Sequence, residues 1–334
     1  MILAIESTAH TFGISLINET RKGYKAIIAN VSHSFTSEKG GIVPNEAAKH
    51  HEQWKDILFQ KAIEQANIKE KDINYIAFSQ GPGLSPCLLV GKNFVKNLAL
   101  KLKVPLIPVN HCIAHLEVAR AVTKARDPVL LYVSGANTQV IAYAASRYRV
   151  FGETLDMGVG NFLDSFARYI GIGFPGGPKI AEIAKKGKKL IELPYTVKGM
   201  DVAFSGLLTN LQQKYNSGKY KIEDLCYSLQ EYAFAMLIEV AERAMAHLNK
   251  KELALGGGVA CNERLQEMAI KMTKARGAKC YIPDSSLLVD NAAMIGLTAR
   301  FMLKAKDFKF SEEEIKNIDI LPYQRTDDVE VFWR

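Results

Sequence analysis

The chain lacks most of the features that would assign it at a glance. Its five cysteines (Cys87, Cys112, Cys226, Cys261, Cys280) show no paired short spacing. That argues against a disulfide framework or a zinc ribbon and fits a reducing compartment. No uninterrupted apolar run approaches the length of a membrane span, so no membrane partner is expected. The N-terminus, MILAIEST, enters a strand pattern directly, with Glu6 inside it. It has no basic n-region of a secretory signal, and the expected location is cytoplasmic. There is no Pro/Ser-rich linker between independent domains. The dinucleotide fingerprint G-x-G-x-x-G, P-loop and kinase motifs, and a G-x-S-x-G elbow are all missing, although GLSP superficially resembles the last.

What is present is an ordinary globular composition with a basic bias. The 334 residues are 48% hydrophobic and 23% charged, with Lys+Arg 43 against Asp+Glu 35 and a net charge of +8. The length suffices for two packed cores or one elaborate one. Basic surface attracts phosphate, so the charge permits an RNA partner without demanding one. The only dense basic cluster along the sequence is Lys185, Lys186, Lys188 and Lys189.

Two segments share one design. ILAIESTAHTFGISLI is two apolar runs around a turn, and VLLYVSGANTQVIAYA (129–144) repeats the arrangement. Both read as hairpins, and their placement suggests a duplicated architecture. Between them, INYIAFSQ, GPGLSP, CLLVGKNFVKNLALKLK and VPLIPVNH read as strand, tight loop, helix and strand. The second half offers ELALGGGVACNERLQEMAIKMTKARG, a strand, three glycines and a helix stopped by Gly277, then KCYIP and AAMIGLTARFMLKA. Alternating β and α in two lobes, with glycine turns at strand ends, predicts an α/β fold with a ligand cleft between lobes. The most irregular stretch is about 150–225, rich in Gly, Pro and Lys.

Within NHCIAHLEVAR, His111 and His115 lie four residues apart. On a helix they stand one turn apart on one face, a spacing that holds one metal ion with two nitrogens. The competing reading is a polar pair on a solvated face. A zincin would read H-E-x-x-H; here Cys112 replaces the glutamate, which disfavours peptide hydrolysis by that route. Asp290, between an apolar segment and a helix, is a further acidic candidate, with a helix N-cap as the simpler role. Tyr132 reads first as a core aromatic. Glu6 interrupts an apolar strand, and a buried carboxylate needs a partner or a cation. Ser7, Thr8, Ser134, Gly135, Asn137 and Thr138 suit a phosphate or carboxylate, although ordinary turns use the same residues. In GGGVACNER the glycines allow close approach by a ligand, and Asn262 is equally a helix cap.

Taken in order, AIESTAHTFG, GGIVPNEAAKHH, GPGLSPCLLVG, NHCIAHLEVAR, YVSGANTQV, VGNFLDSFAR, FPGGPKI, MDVAFSGLL, GGGVACNERL and TDDVEVFWR resemble the blocks of the universal tRNA adenosine threonylcarbamoyltransferase family. The resemblance spans essentially the whole chain. NHCIAHLE and the TDDVEVFWR ending look like the archaeal/eukaryotic branch. It implies an actin-like, Hsp70-like ATPase fold of two RNase H-like lobes with nucleotide between them. The first lobe would span 1–115, completed by 292–334, and the second 116–291 with an irregular insert around 150–225. It implies transfer of a threonylcarbamoyl group from threonylcarbamoyl-adenylate to N6 of the adenosine next to the anticodon, in tRNAs reading codons that begin with A.

The resemblance further implies an iron-type metal on His111, His115, Tyr132 and Asp290; zinc and manganese suit the same donors. Substrate contacts would fall on Tyr132, Val133, Ser134, Gly135 and Ala136, and on Asp164, Gly177 and Asn262. ATP or the adenylate would be the nucleotide. The implied partners are tRNA and the KEOPS subunits, including a small kinase-like ATPase that is sometimes fused downstream. Three positions depart from the family pattern: Ala136 for Gly in the second turn, Ala181 for an acidic residue, and Ser85 for Gly in GLSP. No general base is apparent; Glu6 and His10 are candidates by position alone. The alternatives are a nucleotide-binding assembly subunit, or an ATPase or sugar kinase of the same fold. The sugar-kinase reading suffers because the turn is Glu6-Ser7-Thr8 where Asp-x-Gly-Thr is expected.

Overall fold

A computed structural model describes residues 1–36 and 42–334. Gly40 and Gly41 of the GGIVPNEAAKHH block lie outside the described residues. The first sheet contains β1 (Ile2–Glu6), β2 (Thr11–Ile17), β3 (Ile27–Ser34), β4 (Tyr75–Gly81) and β5 (Leu106–Asn110). Its order is β3-β2-β1-β4-β5, with β1, β4 and β5 parallel and the β1–β2–β3 meander antiparallel. Helix α1 (Pro44–Ala66) joins β3 to β4, and α2 (Ser85–Leu102) joins β4 to β5.

After α3 (His111–Val122) the plan repeats with β6 (Val129–Val133), β7 (Thr138–Ala144) and β8 (Arg147–Glu153). Then follow α4 (Val159–Tyr169), α5 (Gly176–Ala184), the two-residue strands β9 (Val197–Lys198) and β10 (Asp201–Val202), α6 (Ser205–Asn216) and α7 (Ile222–His247). The chain continues through β11 (Glu252–Gly256), α8 (Glu263–Ala275), β12 (Lys279–Tyr281), α9 (Ser285–Leu288), α10 (Ala292–Ala305) and α11 (Glu312–Asn317). The second large sheet has the order β12-β11-β6-β7-β8, the same path as the first sheet traced from its other edge. The duplication read from the two hairpins is therefore a duplication of topology.

Much of the segment expected to be an irregular insert is helical, in α4, α5 and α6. Phe162, Leu163, Phe166 and Ala167 fall one turn apart on α4 and are buried in the largest apolar cluster, with Ile180, Leu207 and Leu211. Burying each such phenylalanine contributes about 1.5–3 kcal/mol. Its Gly and Pro residues mark helix starts and corners; the long stretch without helix or strand is 185–196.

Helices α3 and α10 make the junction between the lobes. Each follows the last strand of its own sheet, and they pack on one another. The α10 helix lies on the first sheet, with Ala292, Ile295 and Ala299 against Ile2, Ala4 and Ile17. The other face of α3 lies on the second sheet, with Ile113 and Leu116 against Leu130, Tyr132 and Ala254. Residues 111–119 of α3 are buried on every face, apolar except for His111, His115 and Glu117, each of which meets polar partners.

The expected division at 115/116 falls inside α3. The tail after 325 also departs from it: Val331 packs with the second sheet, and Trp333 donates to Glu117 of α3 at 2.8 Å. Among the described residues no helix is long and apolar enough to cross a membrane.

Candidate metal centre and ligand cleft

Local capping places the histidines. Asn110 ends β5 and accepts the Ile113 amide at 3.0 Å, so α3 begins at His111. His111 and His115 then project from one face, their ring centroids 4.8 Å apart. Asp290 immediately precedes α10. Its expected capping role belongs to its neighbour: Asn291 accepts the Met294 amide at 3.1 Å. Two cap-forming residue types stand side by side, and the second takes the cap, which leaves the Asp290 carboxylate to face α3.

Four donor groups meet at this junction. Nε2 of His115 is 3.3 Å from Oδ1 of Asp290, and Nε2 of His111 is 3.5 Å from the same oxygen. The Tyr132 hydroxyl is 3.3 Å from His111 Nε2. One ligand atom from each of His111, His115 and Asp290 lies within 4.8 Å of the others. Both histidines and Tyr132 are buried, and the Asp290 side chain is 17% exposed.

The electrostatics favour a cation. Burial works against a charged His111, but Glu6, Tyr132 and Asp290 outweigh it and hold its pKa well above the usual histidine range. Burial similarly opposes an ionised Asp290, yet His111 and His115 hold it well below the carboxylate range. Burial and the charge of His111 keep His115 below its ordinary value despite its hydrogen bond to Asp290. Burial lifts the Tyr132 phenol far above its usual range. The carboxylates of Glu6 and Asp290 thus flank the His111 imidazole in a largely buried pocket. A buried carboxylate demands a counter-charge, and a divalent ion held by His111, His115 and Asp290 would supply it. Two imidazoles, a phenol and a carboxylate suit iron, zinc or manganese.

Behind His111, Glu6 is fully buried and closed off. Its carboxylate accepts from the Thr8 amide at 2.8 Å and stands 3.0 Å from His111 Nδ1. An outer carboxylate of this kind fixes the ring and directs the other nitrogen at the metal position. His115 has no equivalent, since its Nδ1 is buried without a partner among the described residues. The candidate bases fare poorly. Glu6 touches Thr8 and His111 rather than the cleft. His10 lies close enough to His50 and His51 to lower their pKa values, in a separate cluster where His33 Nδ1 and His50 Nε2 are 2.6 Å apart.

The expected substrate positions line the end of the second sheet. Because β6 and β11 are parallel, with Gly256 beside Tyr132, the 134–137 turn and the GGG loop leave the sheet together. Gly257 has a φ of +91°, and a Cβ there would come 2.2 Å from the Val133 carbonyl oxygen. Its close approach is therefore to the neighbouring strand rather than to a ligand. The turn itself receives the start of α4: Gly160 and Asn161 amides donate to the Ser134 and Gly135 carbonyls, and the Val159 amide to Thr138 Oγ1. Thr138 is thereby a structural acceptor. The backbone of Ala136 lies against Gly158, where a Cβ would come 2.5 Å from it.

Asp164 accepts the Gly176 amide at 2.7 Å, joining α4 to the start of α5 beside Gly177. Burial raises its pKa, although the Gly176 and Gly177 amides pull the other way. Asn262 is a cap, as its sequence alternative had it: it accepts from Arg264 and Leu265 and donates to Gln230. Ala181 is half-buried on α5, and Ser85 is the first residue of α2.

Sequence reasoning missed Glu117. This buried carboxylate of α3 accepts from the Tyr148 hydroxyl, from Trp333 Nε1 and from Arg120. Only its place two residues after His115, within a buried helix, could have signalled it.

Comparison with known proteins identifies the family and the fold. A family model described as TsaD, tRNA N6-adenosine threonylcarbamoyltransferase, matches residues 26–297. The Thermococcus sibiricus protein of that description is 52% identical over 331 residues, 99% of each chain. A Methanosarcina mazei protein, described as a probable bifunctional tRNA threonylcarbamoyladenosine biosynthesis protein, is 50% identical across 99% of this chain and 59% of its own length. Among solved structures, HypF of T. kodakarensis superposes with a TM-score of 0.63 at 14% identity, over 90% of this chain and 48% of that one. The activator of the 2-hydroxyisocaproyl-CoA dehydratase from Clostridium difficile, with bound ADPNP, gives 0.55 at 12%, over 96% and 98%. Those two likenesses speak for the fold alone, which is the expected actin-like, Hsp70-like arrangement. With the family model spanning most of the sequence and a full-length relative at 52% identity, the chain belongs to the TsaD family of tRNA N6-adenosine threonylcarbamoyltransferases.

Proposed function

We propose that this chain transfers the threonylcarbamoyl group from threonylcarbamoyl-adenylate to N6 of the adenosine next to the anticodon, in tRNAs reading codons that begin with A. The observation that carries the reading is the meeting of His111, His115, Tyr132 and Asp290 at the lobe junction, beside the turn that follows β6. These four residues would hold one divalent ion, iron in this proposal. Bound there, the ion supplies Lewis-acid polarisation and orientation of substrate oxygens.

The chain's own residues prepare the site. Glu6 holds the His111 ring through Nδ1 and leaves Nε2 facing the cluster. Asp290 joins the two lobes by reaching from the start of α10 to both histidines of α3. The Val133–Ala136 backbone and the loop after β11 wall the position of the adenylate. Asp164 would anchor the threonyl part, at the corner where α5 begins. In the transfer, N6 of the adenosine forms a bond to the carbamoyl carbon, and the bond from that carbon to the phosphate oxygen breaks. The nucleotide departs, and the amine proton passes to its phosphate or to water. No covalent enzyme intermediate is required, because the adenylate already carries a good leaving group.

The reading places the chain in the cytoplasm with the KEOPS subunits, including a small kinase-like ATPase. The free thiols of all five cysteines suit a reducing compartment. The test combines the chain with its partners, tRNA, labelled threonine, bicarbonate and ATP. Label on tRNA that requires this chain supports the reading. ATP turnover without label would favour an ATPase. Label of equal yield in its absence would leave it an assembly subunit.

A further inference from the structure

Folding gathers a second basic surface that sequence density does not reveal. Residues 21–25, Arg-Lys-Gly-Tyr-Lys, form a tight turn at the Gly23–Ala26 3-10 helix, between β2 and β3. Arg21, Lys22 and Lys25 are exposed and line a concavity of about 610 Å³ with Ile27 and Ile28. Tyr24 stands among them, 41% exposed. Lys304, at the end of α10, lines the neighbouring hollow with Glu19 and Arg300. One helical turn before it, Arg300 Nε donates to the Glu19 carbonyl at 3.0 Å, which ties this end of α10 to the start of the turn.

The run at Lys185–Lys189 differs in setting more than in pairing. There Lys185 pairs with Glu182 at 2.7 Å and approaches Glu263, and the Asp224 carboxylate accepts the Lys188 and Lys189 backbone amides, which sets that run beside three acids. Among the described residues, Arg21, Lys22, Lys25 and Lys304 have no carboxylate within 4 Å; the nearby ion pairs are between other groups. Of the bordering acids, Glu19 is paired with the amino terminus and Asp307 lies by Lys309. Asp284, beside Tyr24, is the remaining one. A concave cluster of uncompensated cations with an exposed aromatic ring matches the requirements of a nucleic-acid backbone.

We propose that the 21–25 turn and Lys304 form a landing surface for RNA phosphates, separate from the metal cluster. The inference rests on the tRNA reading above. At 1.5 Å per residue along α10, Lys304 lies about 20 Å from Asp290, so this surface holds RNA remote from the reacting adenosine. Contacts of this kind position a nucleic acid without reading its bases. They contribute affinity rather than chemistry.

The experiment compares full-length wild type with Arg21→Ala/Lys22→Ala/Lys25→Ala, Lys304→Ala and a control, Lys185→Ala/Lys186→Ala/Lys189→Ala, each checked for an unchanged melting curve. tRNA binding is measured across a salt series, and threonylcarbamoyl transfer across tRNA concentrations. The triple variant should lower the slope of log affinity against log salt by about two to three, near one per lost phosphate contact. Its KM for tRNA should rise about tenfold or more, with kcat held. Lys304→Ala should lower the slope by about one, the control should match wild type, and Arg21→Lys should retain wild-type slope. A triple variant with the wild-type slope and KM overturns the landing surface while leaving the transfer reading intact. Wild type that neither binds nor labels tRNA overturns the transfer reading itself. A variant that loses only a protein partner, with RNA binding unchanged, assigns the surface to that partner and sinks the proposal.

Discussion

Nδ1 of His111 stands 3.0 Å from Oε2 of Glu6, and this pair decides which imidazole nitrogen faces the lobe junction. The contact links the end of β1 to the start of α3, so the first strand of the fold orients the first proposed ligand of the cluster. Glu6→Gln keeps the shape but removes the charge. Metal retention, followed by chelator competition, should weaken about 10- to 100-fold, as for other outer partners of ligating histidines. Retention equal to wild type would show that Glu6 serves only the Thr8 turn.

Removing the nitrogen ligands should act on metal and chemistry together. In His111→Ala/His115→Ala, elemental analysis should find the metal content near zero and the tRNA assay should find no label. The fold should persist, because both halves keep their own apolar clusters. Full modification of tRNA by the metal-free double variant contradicts the proposed site.

The tail should matter through Glu117. This carboxylate is fully buried, and Arg120, Tyr148 and Trp333 all direct donors at it. Glu117→Ala strands those donors and should destabilise the fold by about 3–5 kcal/mol, the usual cost of breaking a buried charge pair. Trp333→Phe removes one hydrogen bond to a charged group and should cost about 1.5–3 kcal/mol. Denaturant melts check both. A loss below about 0.5 kcal/mol for Glu117→Ala would mean that the tail is a passive covering.

Acid should loosen the α1 side of the first lobe. Burial and the nearby His50 and His10 lower the pKa of His51 to about 4, against an ordinary 6.5, although its hydrogen bond to the Ala9 carbonyl opposes them. Between those values the unfolded chain binds a proton that the folded chain does not. Stability is therefore full above about pH 6.5 and falls as pH drops towards 4, by up to about 3 kcal/mol. His51→Phe should flatten that part of the stability–pH curve. An unchanged slope in the variant would remove His51 as its source.

How far the sequence revealed this protein depended on whether a signal was local. The hairpins around Ser7 and Ser134 were legible because alternating apolar runs and turn residues are short-range features. So was α10, whose stretch matches the expected residues. The histidine pair was legible as spacing, but its partners were not. Asp290 read first as a cap because nothing local says that Asn291 takes the cap, and Tyr132 lies on another strand. Helices α4 to α6 were obscured by the Gly and Pro at their ends, which read as irregularity. Glu117 and the 21–25 surface are tertiary facts. Their partners, Trp333 and Lys304, lie more than 200 residues away.

The central claim is that one divalent ion joins the two lobes through α3, β6 and the start of α10. The most direct test is anomalous diffraction from crystals of the native protein, recorded across the iron, zinc and manganese edges. The account predicts a single peak about 2 Å from Nε2 of His111 and of His115, with Asp290 and Tyr132 oxygens completing the shell. A peak at another set of residues, or none in protein that still labels tRNA, would contradict it.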